Sequence, residues 1–126
     1  MLADALVEYF QSNLPGALDL LRTIVEIESC SYDKPGIDAL AEFLAPRFRD
    51  RGAVVEILSD PVRGNALKAV YESKRAGKPV MILGHLDTVW PSGSKSARPL
   101  RVEEGRAYGP GVFDMQSVIV LSLLTC

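Results

Sequence analysis

The stretch Val80-Met81-Ile82-Leu83-Gly84-His85-Leu86-Asp87-Thr88 decides how this chain is read. Four apolar residues predict a buried strand over 80–83, and Gly84 lets the chain leave the sheet. His85, the only histidine among 126 residues, then stands at the strand's carboxyl end. Asp87 follows two positions later, and in extended backbone residues i and i+2 face the same side. A carboxylate that holds one ring N–H of a histidine fixes the tautomer and frees the other nitrogen for a metal. A second acid, Asp114, follows the turn Gly109-Pro110-Gly111-Val112-Phe113 and is a candidate oxygen ligand for the same site. Taken alone, a histidine after an apolar strand is more often an ordinary hydrogen-bonded residue, and an H-x-D triplet is weak. The joint pattern of strand, triplet, turn and second acid is what points to a metal.

Outward from this stretch, the order of elements is helices first and strands after. Leu2, Leu6, Val7 and Phe10 have helical spacing. Pro15 suits the first turn of a second helix, whose apolar positions run from Leu18 to Ile27. Ser29 to Gly36 reads as a loop. A further helix carries Ile37, Leu40, Ala41, Phe43, Leu44 and Phe48, with a kink or early end expected at Pro46 and a stop at Gly52. Arg47, Arg49 and Arg51 read as its solvated end. Ala53–Leu58 and Ala66–Tyr71 are strand candidates about a turn at 60–65, and a polar turn over 72–78 leads to the strand at 80–83. Leu100–Tyr108 predicts a hairpin turning at Glu104-Gly105, and a helix runs from Met115. This order predicts an α/β fold with a sheet covered on both faces. In such sheets ligands gather beyond the carboxyl ends of strands, where His85 and Asp87 would sit.

Composition narrows the partners. The chain is 48% hydrophobic with a formal charge of −2 and a pI near 5.4, so neither nucleic acid nor an anionic membrane is expected to bind it. The first ten residues lack a signal-peptide pattern, and 118–126 is too short to span a bilayer. Cys30 and Cys126 form neither a metal spacing nor a disulfide framework. A cytoplasmic location is expected.

The string Gly84-His85-Leu86-Asp87-Thr88-Val89-Trp90-Pro91, followed by 101–115 (R-V-E-E-G-R-A-Y-G-P-G-V-F-D-M), closely resembles the M20 family of zinc metallopeptidases, and within it the glutamate carboxypeptidase branch. The likeness extends upstream through I-V-E-I-E-S-C-S-Y-D-K-P-G-I-D-A-L-A-E-F-L at 24–44. It implies a three-layer α-β-α zinc-exopeptidase catalytic domain with a mostly parallel or mixed sheet. Residues 1–126 would be its incomplete N-terminal part, without the lid or dimerisation domain. It implies two zinc ions, His85 as a ligand of one, Asp114 as the carboxylate bridging both, and Asp87 as the catalytic acid that orients His85. The Asp114–Met115 peptide would be cis.

The implied activity is cleavage of an amide or peptide bond next to a free carboxylate, on a small peptide or N-acyl amino acid, with a homodimer open to the full-length parent. The alternatives are a deacylase or desuccinylase of the same family, and a non-catalytic α/β fragment that binds no metal. Thr88 and Trp90 either line the cleft or hold the local loop; Tyr108 reads as packing. The chain departs from the family at Gln116-Ser117-Val118, where Lys and small residues are usual. The family's Glu-Glu pair and its later ligands have no counterpart through Cys126, so the isolated chain is expected to be inactive.

Overall fold

The computed structural model describes residues 1–74 and 76–126. Helices α1 (Leu2–Ile27) and α2 (Lys34–Asp50) come first, followed by strands β1 (Val54–Leu58) and β2 (Ala66–Val70). A short helix α3 (Ser94–Ala97), strands β3 (Arg101–Glu103) and β4 (Arg106–Tyr108), and helix α4 (Ser117–Thr125) complete the order. The protein is of mixed α/β class. Its sheets are two antiparallel pairs, β1 with β2 and β3 with β4. Parallel pairing, among the described residues, is confined to a single bridge between Cys30 and Thr88. The structure thus has hairpins where a mostly parallel sheet was expected.

The apolar pattern explains the packing. In β1 and β2 the half-buried residues alternate, Val55 and Ile57 with Leu67 and Ala69. Val55 pairs with Ala69 and Ile57 with Leu67, so one face of the hairpin is apolar, and it rests on α2. The main core lies between α1, α2 and α4, where Ile24, Val25, Leu40, Leu44, Val120 and Leu123 are buried. Only the second half of α1 takes part: Leu2, Leu6 and Val7 are exposed. Tyr9 anchors the exposed half by donating its hydroxyl to the Leu124 carbonyl (2.7 Å).

Four further expectations are corrected. Leu2–Ile27 is one helix rather than two, with Pro15 inside it. A proline removes one N–H and crowds the carbonyl four residues back. Here that carbonyl belongs to exposed Gln11, which water can satisfy. Likewise α2 runs through Pro46 to Asp50. Pro46 and Glu42 lie on the solvent side, while Leu44, Ala45 and Phe48 hold the other side against the core. Arg47 covers the neighbouring Phe43 carbonyl (2.6 Å) and stacks 3.4 Å over the Phe43 ring. The loop after α1 is also shorter than expected, because α2 begins at Lys34.

The fourth correction concerns 80–83. These residues form no strand and are exposed, Val80 to 92% and Leu83 to 85%. A strand exists only where a neighbour accepts its ladder bonds, and no described strand pairs with this segment. Arg75, inside the expected polar turn, lies outside the described residues.

The 60–65 turn is fastened to α2 by carboxylates. Asp60 accepts the N–H groups of Val62 and Arg63 (both 2.7 Å), and Asp38 accepts that of Asn65 (2.7 Å) while pairing with Lys34. The Lys34 hydrogen bond, and next the Asn65 N–H, hold the Asp38 carboxyl below its ordinary pKa. The amides of Arg63 and Val62 do the same for Asp60. A depressed folded pKa means the unfolded chain binds the proton more readily. These contacts therefore contribute stability above the unfolded value of about 3.9 and lose it as pH falls through the folded one. Urea unfolding from pH 6 to pH 2.5 should show an acid loss of stability that Asp38→Asn flattens. An unchanged slope in that variant would contradict the assignment.

Candidate functional site

The site is assembled where the end of α1 meets the segment after 80–83. Glu28 takes a left-handed conformation (φ 56°) and ends α1. The next three residues run parallel to 86–88: Thr88 N–H donates to the Ser29 carbonyl (2.7 Å), and Ser31 N–H donates to the Thr88 carbonyl (2.9 Å). Ser29 Oγ donates to the Leu86 carbonyl (2.6 Å), and Ser31 Oγ donates to Asp87 Oδ2. Asp87 is thereby held from both backbone and side chain.

Its partner is His85. The ring Nδ1 lies 2.9 Å from the Asp87 carbonyl and 3.2 Å from its Oδ1. A carbonyl only accepts, so Nδ1 carries a proton. On the other side Nε2 lies 3.0 Å from Asp114 Oδ1, across 29 positions of sequence. The backbone N–H of His85 points at Met115 Sδ (3.3 Å). The structure brings His85, Asp87 and Asp114 together.

Asp114 is delivered by a wide turn, Val112–Gln116, closed by the Gln116 N–H on the Gly111 carbonyl (3.0 Å). The Asp114–Met115 peptide within it is cis. Gly111 has φ +70°, and a Cβ there would collide with the Thr88 side chain, so the turn can approach the 86–88 segment only with glycine at this position. Gly84 is less constrained: a Cβ there would come within 2.5 Å of Met115 Cε, the end of a flexible side chain that can move aside.

Around the pair lies a cleft of about 230 Å³ lined by Asp87, Thr88, Val89, Trp90, Phe113 and the glycine turn. Thr88 is buried and spends its backbone on the 29–31 segment. Trp90 lines the cleft and also sits beneath Arg98. Tyr108 is stacked by Arg101 and lines a neighbouring pocket.

Both ring nitrogens of His85 face oxygen acceptors. Partial burial opposes the charged imidazole, but the Asp114 hydrogen bond, the Asp87 carbonyl and the charges of both carboxylates outweigh it and raise the pKa above the ordinary histidine value. The gap between Nε2 and Asp114 thus favours positive charge, a proton or a metal cation. An imidazole nitrogen and a carboxylate oxygen are donors that suit zinc. Among the described residues no group of three or more His, Cys, Asp or Glu side chains is arranged to hold a metal ion; His85 and Asp114 present two donors of the kinds zinc takes.

Sequence reasoning passed over Ser29 and Ser31, and marked Gln116 only as a departure from the family pattern. Gln116 is 2% exposed, and its Nε2 reaches Ser29 Oγ at 3.4 Å. Its Oε1 has no partner among the described residues. The departure at 116–118 therefore places an amide behind the site, while Val118 is turned outward. A serine in a loop gives no signal of a partner more than fifty residues away.

Over 107 residues the chain is 31% identical to carboxypeptidase G2 of Pseudomonas sp. (strain RS-16). The chain is distantly related to a carboxypeptidase. The matched stretch is 79% of this chain and 24% of that enzyme, so the chain spans about a quarter of the relative's length. No protein-family model matches the chain. No helix of the described residues is long and apolar enough to cross a membrane.

Proposed function

We propose that this chain furnishes one wall of a two-zinc hydrolase site of the M20 carboxypeptidase type, acting on an amide next to a free carboxylate. The observation that carries the reading is the 3.0 Å approach of His85 Nε2 to Asp114 Oδ1, with Nδ1 secured by Asp87. His85 through Nε2 and Asp114 through its carboxylate would hold zinc, and Asp87 would orient the imidazole. Zinc supplies Lewis acidity there, polarising an amide carbonyl and lowering the pKa of water. The chain's own residues do the positioning. Ser31 and the Thr88 backbone fix Asp87, Asp87 fixes the ring, and the Gly111 turn presents Asp114.

The likeness to carboxypeptidase G2 supports an amide beside a carboxylate as the scissile group; an N-acyl amino acid deacylase is the rival within the same chemistry. We place the general base and the remaining ligands in further chain or a partner copy. We also propose that 80–83, which form no strand here, would pair into a mostly parallel, three-layer sheet beside strands of further chain, a reading supported by their exposed apolar side chains and by the parallel bridge beside His85. The reading as an α/β unit that binds no metal draws on the lack of a grouped third donor among the described residues.

Because His85 is the single histidine, its ring signals in an NMR spectrum are assigned without ambiguity. Zinc should shift them, and a chelator should restore them. Ring signals that stay put at excess zinc would overturn the metal reading.

A further inference from the structure

We propose that Gln116 is a positioning residue, a buried amide that ties the turn presenting Asp114 to the segment presenting His85 and Asp87 by way of Ser29; the proposal rests on the zinc reading above. The two candidate zinc donors come from separate arms of the chain. His85 and Asp87 belong to the segment bridged to 29–31, and Asp114 to the turn that follows Gly111. The donors face each other at 3.0 Å, but both side chains reach solvent, where such a pair holds its partners weakly. The spacing of the two arms is therefore set from behind.

Gln116 stands there. It is buried and touches both arms. Its backbone N–H closes the Asp114 turn on the Gly111 carbonyl (3.0 Å). Its side chain lies under that glycine, where a Cβ would meet Gln116 Cδ at 3.2 Å. Its Nε2 donates to Ser29 Oγ (3.4 Å). Ser29, also buried, joins the other arm at two points. Its Oγ donates to the Leu86 carbonyl (2.6 Å), and its own carbonyl accepts the Thr88 N–H (2.7 Å). Hydrogen bonds thus run from the Asp114 turn to both neighbours of Asp87.

Counting protons fixes the way the amide points. Ser29 has one hydroxyl proton, and the Leu86 carbonyl can only accept, so that proton is committed. Ser29 can then only accept from Gln116, which presents its NH2 group. The amide oxygen is left over, buried and without a partner among the described residues. An unpartnered buried acceptor costs stability. Methionine, unbranched and adaptable, would fill the same space without that cost. The amide is therefore explained by the N–H it offers to Ser29 and not by the stability of the fold.

Gln116→Met removes the donor and the stranded oxygen together, so affinity and stability should part company. Zinc affinity, read by chelator competition, should fall about three- to tenfold, as expected for one lost hydrogen bond, while the urea midpoint holds level or rises. In metal-free protein the Thr88 N–H should exchange with solvent faster by a similar factor. Ser29→Ala should also weaken zinc binding, and the double variant should bind no more weakly than Ser29→Ala alone, since the amide acts through that hydroxyl. Leu44→Ala is the control, with a lowered urea midpoint and unchanged zinc affinity of the folded protein. Unchanged zinc affinity or unchanged Thr88 exchange in Gln116→Met, a lowered midpoint in that variant, or losses that add in the double variant would each overturn the assignment. Failure of zinc to move the His85 signals in the parent protein overturns the zinc reading instead, and the Thr88 exchange then still decides whether Gln116 couples the two arms.

Discussion

His85→Ala is expected to abolish measurable zinc binding, and Asp87→Asn to weaken it by about 10–100-fold, the usual effect of losing the group that orients a metal-ligating histidine. The two changes act at different atoms. Alanine removes the ring whose Nε2 faces Asp114. Asparagine keeps the shape of Asp87 but replaces the carboxylate 3.2 Å from Nδ1 with a neutral amide, while the carbonyl that also faces Nδ1 at 2.9 Å survives. The ordering His85→Ala worse than Asp87→Asn is therefore specific to this geometry. Competition against a chromophoric chelator measures both. Equal affinities in parent and His85→Ala protein would place zinc on other carboxylates of the chain.

A second large effect is expected in the core. Leu44→Ala should lower the unfolding free energy by about 2–5 kcal/mol, the range for deleting a fully buried leucine side chain and leaving part of its cavity. Leu44 is 0% exposed on α2, in the cluster that includes Ile24 of α1 and Leu123 of α4. Leu14, 53% exposed on α1, is the internal comparison; its replacement by alanine should change stability by no more than about 0.5 kcal/mol. Urea melts of the two variants test the pair. Comparable losses at both positions would mean that the helices do not pack as described.

Local signals were legible in the chain and non-local ones were not. The β3–β4 hairpin follows from residues that touch their own neighbours, with Glu104 and Gly105 both at positive φ between the strands. The turn at 60–65 announces itself through Asp60 and Asn65 for the same reason. Pro15 and Pro46 misled because a proline says which bond is lost but not whether the deprived carbonyl faces water. The apolar run at 80–83 misled differently: hydrophobicity records a demand for burial, and whether it is met depends on segments elsewhere. At the site, the i, i+2 spacing of His85 and Asp87 and the turn before Asp114 carried the convergence. Ser29 and Ser31 stayed hidden because a hydroxyl becomes a site residue only through what arrives beside it, and Gln116 was visible as a departure but not as the partner of Ser29.

The parallel bridge between 29–31 and 86–88 has a consequence in time as well as in space. The hydrogen bond from Ser29 to Leu86 closes a loop of 57 positions, and the entropy of that closure must be met before the contact returns anything. Helices α1 and α2 and both hairpins need only nearby residues to form. During folding, then, the elements of secondary structure are in place while Asp87 is still unmoored, and the pocket around His85 is among the last features of the molecule to acquire its shape.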